Sequence, residues 1–285
     1  MSVNPQRSMY KVNMNYKLAS SFTAVCLLSA CRPADGVVLF VASKASGVDA
    51  VSVDARDLTN VNFEAFLGQA GVPVASEGDC DVFNNNRLAF DQVEVPGVSV
   101  DVGLISMTGA SAEPVVNFIF DQNAQAYAAD PNNNNLFLVG DQVTINGAGS
   151  GVINDFEKSV DFPQETILVE IDQVVRGLDL VASWNPSELK AESVSVVLVA
   201  SDILGQDVRS IVCTVGDNGQ AVIPGALTNL LPAGGIFNTL LVARVNGPNL
   251  LLDLDGTINL LEKGKEFLLM AFSSDSQTFI PVNDP

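Results

Sequence analysis

The chain contains no histidine. Its absence removes the Ser-His-Asp and Cys-His nucleophilic machines and the zinc, copper and haem sites that imidazole usually supplies. Carboxylates, a Ser-Lys pair or oxygen-ligated calcium are what remain for chemistry. Aromatic residues make up 7% of the 285 positions, and Trp184 is the single tryptophan. A carboxylate-based glycoside hydrolase, which needs two acids held apart in a groove with sugar-stacking rings, is therefore a minor reading. Basic side chains are also scarce, with 14 Lys and Arg against 33 Asp and Glu and a net charge of -19. Beyond the first thirty residues they stand singly except for Lys263-Gly264-Lys265, which leaves no footprint for a phosphate backbone and excludes nucleic acid as a partner. Long apolar runs are missing too: Leu18 to Leu28 spans 11 residues, whereas a membrane-crossing helix takes roughly 20.

That short run has its own logic. Lys11 and Lys17 precede it and Leu28-Ser29-Ala30-Cys31 closes it, the order of a secretory signal: basic, apolar, then small residues before a cut. The four closing residues resemble the lipobox of a bacterial lipoprotein precursor. The resemblance implies a signal peptide over 1–30, cleavage before Cys31, a diacylglyceryl thioether on the Cys31 sulfur and a fatty acyl group, palmitate in kind, on its amino group. At about 0.8 kcal/mol per buried methylene one chain anchors marginally, whereas two or three hold a soluble domain to a membrane. Arg32-Pro33 follows, without the aspartate that retains many lipoproteins on the inner membrane, so the resemblance implies a cell-envelope protein at the outer membrane of a Gram-negative bacterium. Met9 and Met14 are alternative starts to Met1, and Met14-Asn15-Tyr16-Lys17 would make a compact basic region.

Of four cysteines, Cys26 leaves with the leader and Cys31 takes the lipid, which leaves Cys80 and Cys213. An exported protein permits a disulfide between them. Their spacing alone does not fix one, and two buried thiols are the alternative. A bridge would join two different domains.

Hydrophobic residues at 47% with 16% charged provide enough core for a folded chain. The apolar residues alternate over short stretches bounded by Gly, Asn and Pro, which predicts an all-β protein. The pattern divides into a lipidated tether or first strand over 31–48, an N-terminal β domain over 49–163 and a C-terminal β-sandwich over 164–285, with the break at Phe162-Pro163-Gln164-Glu165. Asn84-Asn85-Asn86 and Asp130 to Asn135 suit loop tips. A short helix is predicted near Asn62 to Gln69, where Phe63, Phe66 and Leu67 share a face. Asp217-Asn218-Gly219 and Asn246-Gly247 read as hairpin turns between antiparallel strands.

Leu178-Asp179-Leu180-Val181-Ala182-Ser183-Trp184-Asn185-Pro186 resembles the early tryptophan-bearing strand of a fibronectin type III or related immunoglobulin-like domain, which implies a sandwich with Trp184 plugging its core. The stretch from Cys213 through Asp217-Asn218-Gly219 and Ile223-Pro224 to Leu230-Leu231-Pro232-Ala233-Gly234-Gly235 is similar to a C-terminal pattern of uncharacterised exported bacterial lipoproteins and brings no activity with it.

Two acidic stretches are candidate calcium ligands. Glu77, Asp79 and Asp81 fall within five residues beside the Asn84 to Asn86 carbonyls. Asp253-Leu254-Asp255-Gly256 opens like a calcium loop, but Gly264 stands where the twelfth-position glutamate belongs. Both also read as solvated turns. No cofactor beyond the covalent lipid is required, with Ca²⁺ as an optional ligand. The expected function is a noncatalytic adhesion, scaffold or binding lipoprotein, not an enzyme, engaging an envelope protein or polysaccharide; a calcium-dependent or carbohydrate-binding module is the alternative.

Overall fold

The computed structural model describes residues 35–45, 48–61, 73–84, 97–110, 115–129, 136–138, 140–235, 238–248 and 266–285. Cys31, Asp253, Asp255, the predicted 62–69 helix and the 130–135 loop lie outside them. The described residues build an all-β, sandwich-like protein whose strands are β1 (Gly36–Ala45), β2 (Val48–Asp57), β3 (Ala75–Glu77), β4 (Cys80–Phe83), β5 (Val98–Ser99), β6 (Ile105–Thr108), β7 (Val115–Asp121), β8 (Ala126–Ala129), β9 (Gln142–Gly147) and β10 (Phe156–Asp161). They continue with β11 (Val174–Val175), β12 (Leu180–Ser183), β13 (Ser193–Ser201), β14 (Val208–Val215), β15 (Gln220–Ile223), one helical turn α1 (Gly225–Thr228), β16 (Thr239–Asn246), β17 (Phe267–Thr278) and β18 (Val282–Asn283).

One nine-stranded sheet, β3-β4-β14-β13-β16-β17-β1-β2-β5, runs through the molecule. The two segments on either side of Pro163 therefore do not close separate sheets. β1 lies parallel to β17, from Val38 opposite Phe267 to Ala45 opposite Ser274, and this pairing joins the early strands to the late ones. The first strand lies inside the sheet, with Val37, Val38 and Phe40 fully buried. Stretches such as Val196 to Ala200 are apolar without alternation because both faces of this sheet are buried there.

Two further layers cover one face. The five-stranded sheet β10-β9-β6-β7-β8 closes a core of Phe40, Phe118, Phe137, Ile145, Val160 and Leu269. The small sheet of β12 and β15 closes a second core around Trp184, Val196, Leu198, Ile211, Ile223 and Val242. Residues 167–169 extend that small sheet through a bridge of Leu168 to Trp184 and the Val169 N–H to the Ser183 carbonyl, 2.9 Å.

Between the two cores β17 turns polar, and its side chains act as a ladder for the crossing chain. The Thr166 N–H donates to Ser273 Oγ (2.9 Å), the Leu168 N–H to Asp275 Oδ2 (2.9 Å) and the Ile171 N–H to Gln277 Oε1 (2.8 Å). Residues 273, 275 and 277 share a face by the two-residue strand period, so one edge-free strand satisfies main-chain donors that no neighbouring strand reaches. Residues 167–171 thus make a short sheet contact followed by side-chain anchoring.

The Asp217-Asn218-Gly219 turn differs from the hairpin that its sequence predicts. β14 pairs with β13 and β4, whereas β15 pairs with β12 in the other layer, so the turn is an arch between layers. Gly219 takes the left-handed backbone, φ 83°. Asp217 points inward, where its carboxylate accepts from Arg244 Nε (2.9 Å), Trp184 Nε1 (2.9 Å) and the Ala191 N–H (3.3 Å). Both charged side chains are buried, at 0% and 1% exposure for Arg244 and Asp217. Arg244 also donates from one terminal nitrogen to the Glu165 carbonyl (2.9 Å) and Asn185 Oδ1 (3.0 Å), and from the other to the Asn185 carbonyl.

Burial pushes the Asp217 carboxyl up, but the hydrogen bonds from Arg244, Trp184 and Ala191 and the guanidinium charge outweigh it and hold the carboxyl below its ordinary value. A carboxylate with a lowered folded value stabilises the protein above its unfolded value of about 4, and that stability is lost as pH falls through the folded value. Arg244→Met, which leaves Asp217 charged and buried without its cation, is expected to cost roughly 3–5 kcal/mol in urea unfolding at neutral pH. Asp217→Asn is expected to lower stability at pH 7 and to flatten its decline below about pH 4.

Candidate functional site

The main cavity among the described residues opens where β10 passes over the start of β17, with a volume of about 570 Å³. This lies within the few hundred to a thousand Å³ of small-molecule sites. Phe267 and Leu269 come from β17, while Ile153, Asn154, Phe156 and Lys158 come from β10 and the turn before it. The rings of Phe156 and Phe267 sit 4.7 Å apart at 35° and close the cavity against the core. Asn154 Nδ2 donates to Glu266 Oε2 (2.8 Å), fixing that carboxylate at the rim. The arrangement is a mixed pocket in which Ile153, the two Phe rings and Leu269 face the Asp155, Glu157 and Glu266 carboxylates, the Asn154 amide and Lys158, suited to holding an amphipathic molecule.

β10 is an edge strand, so its free side is open to strand addition. The Phe162 N–H bonds the Asp141 carbonyl (2.7 Å), which in an antiparallel ladder directs the main-chain groups of Glu157, Ser159 and Asp161 away from β9. Asn246 Nδ2 caps the Asp161 carbonyl (2.7 Å). Lys158 lies on the same side of β10 as Phe156 and Val160 by strand alternation and is itself exposed, and a lysine on an edge strand disfavours addition of another strand. Tyr127 is a titratable side chain elsewhere in the same half. Burial, with the nearby Asp101 charge, pushes its phenol up to about 12. It stays protonated and donates to the Gly103 carbonyl (3.1 Å) while accepting from the Val102 N–H (2.7 Å), a structural clamp and not a base.

The acidic residues singled out by sequence do not converge. Glu77 and Asp79 are exposed on the β3–β4 hairpin and Asp81 is half-buried. Glu77 stands opposite Cys80, whereas Asp81 stands opposite Ser76, whose hydroxyl it accepts. Neighbouring residues of a strand face opposite ways, so Asp81 is on the other face from Cys80 and Glu77. Among the described residues no group of three or more Cys, Asp or Glu gathers as a metal site.

Cys80 and Cys213 are joined by a disulfide. They stand directly opposite each other on β4 and β14 of one sheet, so the bond pins the short edge hairpin to that sheet and does not tie two domains together. The Thr214 N–H to the Asp79 carbonyl (3.0 Å) continues the pairing.

The buried Asp217–Arg244 pair and the β10–β17 cavity were not among the sequence candidates. A lone arginine inside the apolar run Leu240 to Val245 was the legible signal for the first, since a charge in a core strand demands a partner. Nothing in sequence spacing marks the cavity, because Phe156 and Phe267 meet only through the fold. Comparison with known proteins finds no family model, curated protein or solved structure that matches the chain. The described residues define an all-β, sandwich-like protein with a buried polar latch and an amphipathic cavity.

Replacing both Cys80 and Cys213 with Ala is expected to lower unfolding free energy by roughly 2–5 kcal/mol, because the bond closes a loop of 133 residues in the unfolded chain. Urea melts of the oxidised parent and the double variant measure the difference.

Proposed function

We propose that the protein is a noncatalytic lipoprotein of the bacterial cell envelope, held at the outer membrane through lipid on Cys31, and that it binds an envelope protein or polysaccharide. The observation that carries this reading is Leu28-Ser29-Ala30-Cys31 behind the Lys11, Lys17 and Leu18 to Leu28 leader. No helix among the described residues is long and apolar enough to cross a membrane, and the reading needs none, since the acyl chains supply the anchor.

The strand order supports the immunoglobulin-like part of the reading. Residues 167–169, β12 and β15 form one layer, and β17, β16, β13 and β14 lie side by side in the other. That order resembles the arrangement of an immunoglobulin-like sandwich of the fibronectin type III kind, with Trp184 between the layers. The binding role is supported by the cavity at β10 and β17, whose volume is that of a small-molecule site.

In a native-like host, Cys31→Ala is expected to remove the lipid mass seen by intact mass spectrometry and to shift the protein out of the membrane fraction. An unchanged mass and fractionation would sink the anchor. A calcium-dependent module is the second reading, resting on Asp253 and Asp255 outside the described residues. On the first reading, adding calcium or EDTA leaves the thermal midpoint in place; a rise of several degrees with calcium would favour the second.

A further inference from the structure

The small layer of residues 167–169, β12 and β15 turns an unusual surface to solvent. Leu168, Leu180, Ala182, Trp184, Ala221 and Ile223 point into the core, so strand alternation sends Ile167, Val169, Val181, Ser183, Gln220 and Val222 outward. Val181 pairs directly with Val222, and Val169 lies beside Ser183. The four aliphatic side chains are about half exposed: Ile167 55%, Val169 55%, Val181 47% and Val222 50%. The outer face of the five-stranded sheet is mixed, with Val115 and Ile119 of β7 exposed among polar side chains. On the five-stranded sheet the Ser106, Thr108, Thr144 and Ser159 side chains alternate with the buried positions, with Ser106 bonded to Asn117 and Thr144 to Ser159. On the small layer the aliphatic side chains are grouped around Ser183 and Gln220, and a group of this kind marks a contact surface.

The surrounding charge selects the occupant. Exposed Glu170 and Asp172 follow Val169 on one flank. Beyond β15 on the other, Cys80 Sγ lies 4.0 Å from the Val222 carbonyl, which brings in the β3–β4 hairpin with its exposed Glu77 and Asp79. Glu188 and Lys190 in the loop after β12 offset each other. A second copy of this chain, itself at -19, would bring acid against acid around any such face. An apolar centre between carboxylates is complementary to an apolar centre between cations.

We propose that this face docks a cationic amphipathic segment of another protein, its apolar side on Ile167, Val169, Val181 and Val222 and its Lys or Arg side chains directed at the flanking carboxylates. The inference stands apart from the lipid anchor and from the β10–β17 cavity. It also gives a role to the Glu77–Asp81 acids other than metal binding.

The test is fluorescence anisotropy of the full chain with a labelled amphipathic Leu/Lys peptide, alongside peptides with Leu replaced by Ser or Lys replaced by Glu. The Leu/Lys peptide should bind at least about tenfold more tightly than either. Val181→Thr with Val222→Thr keeps side-chain shape and strand preference; it should weaken that binding about tenfold while circular dichroism and the thermal midpoint stay unchanged. Equal binding of the Ser/Lys peptide would reduce the effect to net charge and overturn the proposal. So would unaltered affinity in the paired valine variant, or light scattering that shows a dimer abolished by those two substitutions, which would assign the face to a second copy.

Discussion

A guanidinium buried at 0% exposure has to be supplied with acceptors, and the C-terminal half of this chain is arranged around supplying them to Arg244. The Asp217 carboxylate provides the counter-charge, and the Glu165 and Asn185 carbonyls with the Asn185 side chain provide the rest. Each acceptor lies on a different connection: the entry to the 166–171 crossing, the end of β12, and the arch from β14 to β15. Charge neutralisation in the interior thereby fixes how the small layer sits on the large sheet. Trp184 is locked by the same carboxylate, so the largest side chain in that core has one orientation. Filling the volume with apolar side chains would supply as much cohesion or more; what the ion pair adds is a single way of joining three loops.

The second constraint is shared use of β17. Its first half lines the core under the five-stranded sheet, through Leu269 and Ala271, while its second half presents Ser273, Asp275 and Gln277 to a chain that crosses the face at a different angle. A continuous apolar strand would have merged the two cores but left the main-chain donors of Thr166, Leu168 and Ile171 unsatisfied in a region where water is largely excluded. The polar half separates the cores and satisfies those donors at once. It also holds the 167–169 segment against β12, which is why Ile167 and Val169 become the outer row of the small layer.

The all-β class was legible from period-two patterning, and the strands at 193–201, 208–215 and 239–246 stood out because both of their faces are buried. Trp184 was legible as a core residue. The continuity of the nine-stranded sheet was not, because β1 and β17 lie near opposite ends of the sequence and parallel pairing leaves no turn to mark it. A proline after Phe162 looks the same whether it ends a domain or redirects a chain across one. Asp217-Asn218-Gly219 carries the residues of a hairpin turn, and only the inward aim of Asp217 toward Arg244 makes it an arch. The acidic cluster at 77–81 was read by proximity in sequence, whereas strand alternation sends its members to opposite faces. The outward valines of the small layer were visible as strand residues, but which face they occupy depends on a bridge to Leu168 that no local pattern announces.

The place of β17 in the order of synthesis has a consequence of its own. Residues 267–278 follow all the other strands of the nine-stranded sheet in the chain, yet in the finished sheet they sit between β16 and β1 and border both cores. Until they are made, the β1–β2 hairpin has no parallel partner, β16 lacks its outer neighbour, and the 166–171 crossing has no ladder to rest on. Closure by such distant pairing is slow, and here it cannot begin before β17 has been made. A sheet sealed by the last of its own strands remains threadable until that strand arrives.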